Sequence, residues 1–468
     1  MSLLWTSAEM VTAMDGRPVG ELPEGVNGIS IDSRTIAPGE AFFAITGDRV
    51  DGHSFAGHAA ANGAGMLVIS EAKLPALGRL TCPMIVVDDV LEAMVRLAAA
   101  SRARVAGRII AVTGSVGKTS TKEMIARGLK ASGKVHAAVA SFNNHWGVPL
   151  TLARMPADTE FGVFEIGMNH SGEIRPLTKL VRPHVAVVTT VAPVHIGNFS
   201  GIREIAAAKA EIFEGLEPDG AAIINRDIDE FEHLARAAKN CGAQIVSFGE
   251  HAKALFRLLD YRTIGDKGHV QALLGTEEPV AFNLGLAGQH MAENALAALA
   301  AISMAGGDAH AALEALETAE QLKGRGLRQQ LAIGDGTVTL IDESYNANPA
   351  SMRAALELLG AGNQGGRRIA ILGDMLELGD YAEDAHEALA GPLVSSGVTD
   401  VWLAGEHVKA LRDALPESIV VEYRENAEEL AEFAAGALAA GDTVMVKSSN
   451  GSGFGKIVAK LVDTYPAR

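Results

Sequence analysis

An apolar run, Ile110-Ala111-Val112-Thr113, enters a turn bracketed by Gly114 and Gly117 and leaves through Lys118-Thr119-Ser120-Thr121 into a helix-permissive segment, 122–130. Strand, glycine turn and helix in that order belong to a mainly parallel sheet with helices packed on it. The turn also has the chemistry that a triphosphate needs. Glycines let backbone N–H groups curl around phosphate oxygens, and the helix N-terminus adds the positive end of its dipole. Lys118 supplies charge and Thr119 can hold Mg²⁺. The strict phosphate loop has four residues between its glycines, whereas here only Ser115 and Val116 intervene, so the motif is a shortened relative. On this stretch alone, a plain glycine turn with an exposed lysine stays open.

A chain of 468 residues suggests about three domains. With 48% hydrophobic and 21% charged residues it has the composition of a folded protein, not a disordered one. The net charge of −17, without a long basic run, argues against a nucleic-acid or anionic-membrane surface. Cys82 and Cys241 have no CxxC or CxxH neighbour, so neither a disulfide framework nor a zinc site is expected. The start lacks a basic segment followed by a long apolar core, and no stretch reaches the length of a membrane span. The expectation is a cytoplasmic enzyme that works without nucleic acid or membrane insertion, as a monomer.

Three organisational zones follow from pattern. Residues 1–86 mix short strands and turns, with strand candidates at 28–32, 41–46 and 66–70. A helical pattern over 89–105 then leads into the phosphate-loop strand. Between 87 and 322, apolar runs at 161–166, 185–190, 221–225 and 244–248 alternate with helical patterns, which predicts buried parallel strands. Another rhythm fills 323–468, with strand candidates at 337–342, 368–372, 400–404 and 443–447 and a helix over 351–359. The fold class is therefore α/β in three domains: a small α/β N-terminal domain, a central P-loop-type domain with a mainly parallel sheet, and a C-terminal Rossmann-like domain. Ligands of such sheets gather at the carboxyl ends of the strands.

Several residues stand just there. Glu165 ends an apolar run, and a carboxylate so placed needs a partner or a cation. A salt bridge to an arginine is one reading; a metal ligand beside the phosphate loop is the other. His195 follows another strand and offers a second ligand or a metal-water contact, or else a satisfied structural histidine. Lys209 falls on the apolar face defined by Ile202, Ile205, Ile212 and Leu216. Either its ammonium snorkels past small alanines, or it turns inward, where desolvation lowers its pKa and the neutral amine can take up CO₂ as a carbamate, an anionic Mg²⁺ ligand. On physical grounds the two are even. In the last third, Asn348 and Pro349 suit the N-cap and first turn of a helix, Asp342 could accept ribose hydroxyls, and Arg325 lies between Gly324 and Gly326 in a hinge-like segment.

These residues and a set of longer motifs together resemble the Mur ligase family. The resemblance covers nearly the whole chain. It is carried by Ile31-Asp32-Ser33-Arg34, by Gly47 with Asp51-Gly52-His53, and by Thr113-Gly114-Ser115-Val116-Gly117-Lys118-Thr119. Further on stand Phe142-Asn143-Asn144-His145-Trp146-Gly147-Val148-Pro149, Glu165-Ile166-Gly167-Met168-Asn169-His170-Ser171-Gly172, Ser344-Tyr345-Asn346-Ala347-Asn348-Pro349 and Leu372-Gly373-Asp374-Met375-Leu376-Glu377-Leu378-Gly379. The shortened phosphate loop is the usual form in these ligases. The resemblance implies an ATP-dependent amide ligase that adds D-alanyl-D-alanine to UDP-N-acetylmuramoyl-tripeptide through an acyl phosphate, in peptidoglycan precursor synthesis. The diaminopimelate- or lysine-adding relative would show Asp-Asn-Pro-Arg, which is absent here.

By position the resemblance implies that 114–120, Gly114 through Ser120, hold the phosphates, with Lys118, Glu165, His195 and Lys209 as catalytic residues. Thr119, Glu165, His195 and a carbamylated Lys209 would serve two Mg²⁺ ions. Asn294, Arg325 and Asp342 would contact the nucleotide. Ser33, Arg34, Gly47, Asp51 and His53 would face the UDP end, and Asn143, Asn144, Tyr345 and Asn346 the rest of the substrate. One departure stands out: where many relatives read Lys-Gly-Ser-Arg, this chain reads Lys447-Ser448-Ser449-Asn450. The missing arginine puts in question any cationic contact of that segment with the dipeptide carboxylate. The competing readings are a ligase adding another amino compound, a folylpolyglutamate-type ligase and, from another class, a P-loop switch or kinase. The last leaves the 344–349 and 372–379 motifs unexplained.

Overall fold

The computed structural model describes residues 3–47, 50–77, 79–139, 141–194, 196–265, 267–360 and 365–466. Among these residues the chain forms four sheets. The largest has nine strands, ordered Pro279–Leu284, Lys267–Leu274, Phe256–Ile264, Gln244–Gly249, Ala221–Asn225, Val185–Val188, Arg108–Thr113, Phe161–Glu165 and Val135–Ala137. Pairing is parallel from Val135–Ala137 as far as Phe256–Ile264 and antiparallel over the last two pairs.

The parallel strands read as continuous apolar runs because both faces are covered. On one face Ile110, Val112, Val187 and Ile223 pack with Ile125 and Leu129 of the helix Lys118–Leu129 and with Leu296 and Leu299 of Gln289–Met304. On the other, Ala111, Phe164, Val188 and Ile224 meet Ile174, Val181, Ile205 and Leu234. Register then does the positioning. Glu165 pairs with Val112 and Val188 with Thr113, so three adjacent strands end level with the phosphate loop.

The three strands between Phe256 and Leu284 lie outside the strand candidates read from the sequence. Phe256–Ile264 buries Phe256 and Leu258 but exposes Asp260, Arg262 and Thr263, so no continuous apolar run announces it. The segment read as one helical face over 202–216 divides into the α-helix Ile202–Ala210 and a 3₁₀ stretch, Glu211–Gly215.

A six-stranded sheet follows, ordered Leu327–Ile333, Gly336–Glu343, Thr443–Lys447, Arg368–Gly373, Asp400–Ala404 and Val420–Arg424, parallel except for its first pair. Asn348 caps the helix Pro349–Gly360 as expected, its Oδ1 accepting from the Ser351 N–H at 2.9 Å. The N-terminal region holds a five-stranded sheet, ordered Arg17–Val19, Met84–Val87, Met66–Ser70, Ala41–Phe43 and Ile29–Ser30.

The helix Val90–Arg104, N-capped by Asp89, ties this sheet to the central one. Val90, Met94 and Leu97 pack into the N-terminal core, whereas Ala98 belongs to the central core. Two hydrogen bonds lock the junction: Trp5 Nε1 to Ala153 O at 2.8 Å and Arg154 Nε to Ile29 O at 2.7 Å. Among the described residues no helix is long and apolar enough to cross a membrane.

Candidate active site

The phosphate loop is shaped by glycine where a side chain cannot go. Gly117 has φ of +86° and caps the helix Lys118–Leu129; a Cβ there would run into Asn294 Oδ1. The neighbouring strand end braces the loop. Ser115 Oγ accepts from Ala192 N–H and donates to Ala192 O, both at 3.0 Å, and Thr189 Oγ1 donates to Val116 O at 2.5 Å. Lys118 folds back so that its Nζ donates to Gly114 O at 2.7 Å. Burial pushes its pKa down; Glu165 pulls it back up and Arg325 adds a further downward push. Ser120, Met291, Leu322 and Arg325 line a cavity of about 460 Å³ beside this loop.

A buried network sits below the lysine. Thr119 Oγ1 donates to Glu165 Oε2 at 2.8 Å, and Asn143 Nδ2 donates to Glu165 Oε1 at 2.7 Å. Ser141 Oγ lies 3.1 Å from Thr119 Oγ1 and accepts from Arg325 Nη2 at 3.3 Å. Glu165 therefore has hydroxyl and amide partners and, among the described residues, no salt bridge, which removes the arginine reading. Oxygen donors with few carboxylates suit Mg²⁺, which is bound through one or two protein carboxylates plus substrate phosphates. Consistent with that sparse donor set, no group of three or more His, Cys, Asp or Glu residues able to hold a metal occurs among the described residues.

Lys209 is buried, with 3% of its surface exposed, so the snorkelling reading fails. Its pKa lies well below the ordinary lysine value, first because burial penalises the ammonium and second because Lys118 repels it. Among the described residues it makes no ion pair, and a neutral amine is the form that such surroundings favour. His195 lies outside the described residues.

The hinge-side residues converge on the same place. The Arg325 guanidinium stacks 4.2 Å from the centre of the Tyr345 ring. Asp342 is buried and accepts from Gly324 N–H at 2.8 Å and from Ser344 Oγ at 2.6 Å, so it builds the turn that presents Arg325. Asn346 contributes its backbone carbonyl, which accepts from buried Lys447 Nζ at 2.9 Å. Asn294 joins the loop through Thr121 Oγ1, 3.3 Å from its Oδ1.

The N-terminal candidates form separate, internally satisfied groups. Asp51 accepts from His53 N–H at 3.0 Å, contacts His53 Nδ1 at 2.7 Å and pairs with Lys73 at 2.7 Å, which together hold its carboxyl far below the usual range. His53 Nε2 in turn accepts from Ser70 N–H at 3.0 Å. Gly47 N–H donates to Val50 O at 2.9 Å and closes the turn before Asp51. Ser33 Oγ is 3.2 Å from His58 Nδ1, and Arg34 is exposed and forks onto Asp32, whose pKa falls to about 2.

Three family models match the chain in order: the Mur ligase family catalytic domain over residues 25–102, the Mur ligase middle domain over 112–302 and the Mur ligase glutamate ligase domain over 327–450. The UDP-N-acetylmuramoyl-tripeptide--D-alanyl-D-alanine ligase of Rickettsia prowazekii is 32% identical over 92% of this chain and 94% of its own. The chain belongs to the Mur ligase family. Among solved structures, MurF from Acinetobacter baumannii superposes with a TM-score of 0.83 at 29% identity, covering 98% of this chain and 99% of that one. MurF from Thermotoga maritima, solved in complex with ADP, shares the fold with a TM-score of 0.76 at 22% identity, covering 93% of this chain and 97% of that one. Mur ligases are ATP-dependent.

Against that frame, several motif residues of this Mur ligase act on the backbone. Asn144 Oδ1 accepts from Gly147 N–H at 2.9 Å and starts the helix Gly147–Ala153. The 372–379 motif is a pinned loop: Asp374 accepts from Glu406 N–H and Val408 N–H, both at 3.0 Å, while Ser449 Oγ accepts from Leu376 N–H at 2.9 Å. Reading the sequence missed Ser141 and Thr189, which brace the centre. It also missed Lys122, which is fully buried with Nζ on Ala138 O at 2.7 Å and on Glu123 at 2.6 Å. Only Lys122, a charge inside a helix that is otherwise packed, left a signal that could have been read.

Proposed function

We propose that this chain is an ATP-dependent amide ligase that joins D-alanyl-D-alanine to UDP-N-acetylmuramoyl-tripeptide in the cytoplasm. The observation that carries the reading is the meeting of Thr119, Glu165 and Asn143, which ties the phosphate loop to the Phe142–Pro149 motif at one carboxylate. The near full-length likeness to a ligase so named supports the choice of substrates. The division of labour follows the three larger sheets, with 1–86 taking the UDP end near Ser33, Arg34 and the Gly47 to His53 turn, 87–322 the ATP, and 323–468 the dipeptide.

In the reaction, a terminal carboxylate oxygen of the tripeptide attacks the γ-phosphorus, the β–γ bridging P–O bond breaks, and ADP leaves. The amine of D-alanyl-D-alanine, having lost a proton, then attacks the acyl carbon, and the tetrahedral intermediate expels inorganic phosphate. Lys118 withdraws from Gly114 O to the phosphates, and the Gly114 to Ser120 backbone cradles them. Arg325, held over Tyr345 and reaching Ser141, adds charge from the hinge side, with Asp342 fixing its turn. Asn294 aligns the nucleotide at Gly117. Thr119, Glu165, a carbamylated Lys209 and His195 would hold Mg²⁺, which when bound neutralises phosphate charge. Positioning and exclusion of water supply most of the acceleration.

The decisive assay is phosphate release from ATP with UDP-muramoyl-tripeptide present, with and without D-alanyl-D-alanine. Sustained release only with the dipeptide supports the reading, and dipeptide-independent turnover defeats it.

A further inference from the structure

A second cavity, of about 260 Å³, opens between the central and C-terminal sheets. One wall is Pro193 and Ile196, from the segment that follows the strand Val185–Val188; the other is Pro349, Arg353, Leu378 and Tyr381. Its position relates it to the chemistry. Pro193 directly follows Ala192, the residue whose backbone both donates to and accepts from Ser115 of the phosphate loop. The walls are brought together by tight docking: Ile196 packs on the C-terminal core, and a Cβ on Gly197 would sit 2.9 Å from Gly379 N.

The lining is mostly apolar, with one cation and one anion, Arg353 and Asp384. Arg353 is exposed, its Nε donates to Pro349 O at 3.3 Å, and among the described residues it forms no ion pair. Its two Nη groups remain for a ligand, in the fork geometry that suits a carboxylate. Asp384 offsets the charge of Arg353, so the lining disfavours a polyanion such as a nucleotide. Small apolar side groups fit against Pro193, Ile196 and Leu378.

We propose that this cavity receives the dipeptide amine substrate, with Arg353 holding its terminal carboxylate. The assignment rests on the ligase reading above, and it supplies a cation where Asn450 offers none. The dipeptide's amine is then left to face the Ala192 side, toward the phosphate loop.

The test compares D-alanyl-D-alanine with its C-terminal amide in the wild-type enzyme and in Arg353→Met and Arg353→Lys. The wild type should prefer the acid by roughly tenfold to a hundredfold in kcat/KM, the range of a charge-assisted hydrogen bond. Arg353→Met should raise KM for the acid by the same factor and abolish the preference, with KM for ATP and for the UDP substrate unchanged and Arg353→Lys intermediate. A retained preference in Arg353→Met overturns the proposal, as does an equal loss toward all three substrates in a variant whose thermal unfolding matches the wild type. If wild-type phosphate release ignores the dipeptide, the ligase reading itself falls, and that is seen before any variant is compared.

Discussion

Thr119 Oγ1 and Glu165 Oε2 stand 2.8 Å apart, joining the first turn after the phosphate loop to the end of the adjacent strand. The bond holds the carboxylate in place before any nucleotide arrives, and Asn143 fixes its other oxygen at 2.7 Å. Glu165→Gln keeps the shape but loses the charge and one acceptor. Turnover should fall roughly a hundredfold to a thousandfold, the scale of losing one preorganised electrostatic group. Half-saturating Mg²⁺ should rise, and the melting temperature should move little. Titrations of rate against Mg²⁺ check this; an unchanged Mg²⁺ requirement removes Glu165 from the metal.

Lys209 is the second charged residue on a buried face. Lys209→Ala should cut turnover by orders of magnitude while ATP binding, measured by calorimetry, stays close to wild type. Acetate or another short carboxylate should restore part of the rate by standing in for the carbamate oxygens. Carbon-13 NMR of the wild-type protein in labelled bicarbonate should show a carbamate signal that the variant lacks. Full activity in Lys209→Ala without added carboxylate sinks the idea.

Glu293, one residue before Asn294, sets a pH dependence of stability. Burial, with Asp227 and Glu250 repelling the charged form, raises its pKa from 4.5 to about 7. The folded state keeps this proton up to about pH 7, whereas the unfolded chain releases it near 4.5. Stability from this group is therefore fully present below pH 4.5 and is lost as pH rises through 7. The rise from 4.5 to about 7 caps the loss at ~3 kcal/mol. Glu293→Gln should flatten that part of the profile, so urea unfolding at pH 5 and pH 8 should show a smaller difference than in the wild type.

The parts of this molecule that could be read in its sequence are those that break or sustain a period. The strands Phe161–Glu165, Val185–Val188 and Ala221–Asn225 are buried on both faces, so their runs are unbroken. Glu165 and Lys209 are charges set into such patterns, which is why both could be singled out. Phe256–Ile264 was not legible because, although paired on both sides, its buried Phe256 and Leu258 give way to exposed residues, so no sustained apolar run marks it. Ser141 was not legible for another reason. A loop serine violates no pattern, and its partners, Thr119 and Arg325, are 22 and 184 positions away. The cavity at Arg353 likewise exists only because two sheets close on each other.

The same closure can be tested at Gly197, where two backbones touch. A Cβ added to Gly197 would lie 2.9 Å from Gly379 N and 3.1 Å from its Cα. Neither atom belongs to a flexible side chain, so Gly197→Ala must hold the 378–379 turn away from the central sheet. Misplacement of that order costs about a hundredfold when reacting groups sit on opposite sides of the gap. Because the phosphate loop, Glu165 and Lys209 all lie on the central side, ATP affinity should survive while kcat falls and KM for the dipeptide rises. Gly391→Ala is the matched control, since its Cβ would meet nothing within 4 Å in the helix Ala390–Ser395. Equal kinetics in the two variants would show that the Gly197–Gly379 contact plays no part in closing the site.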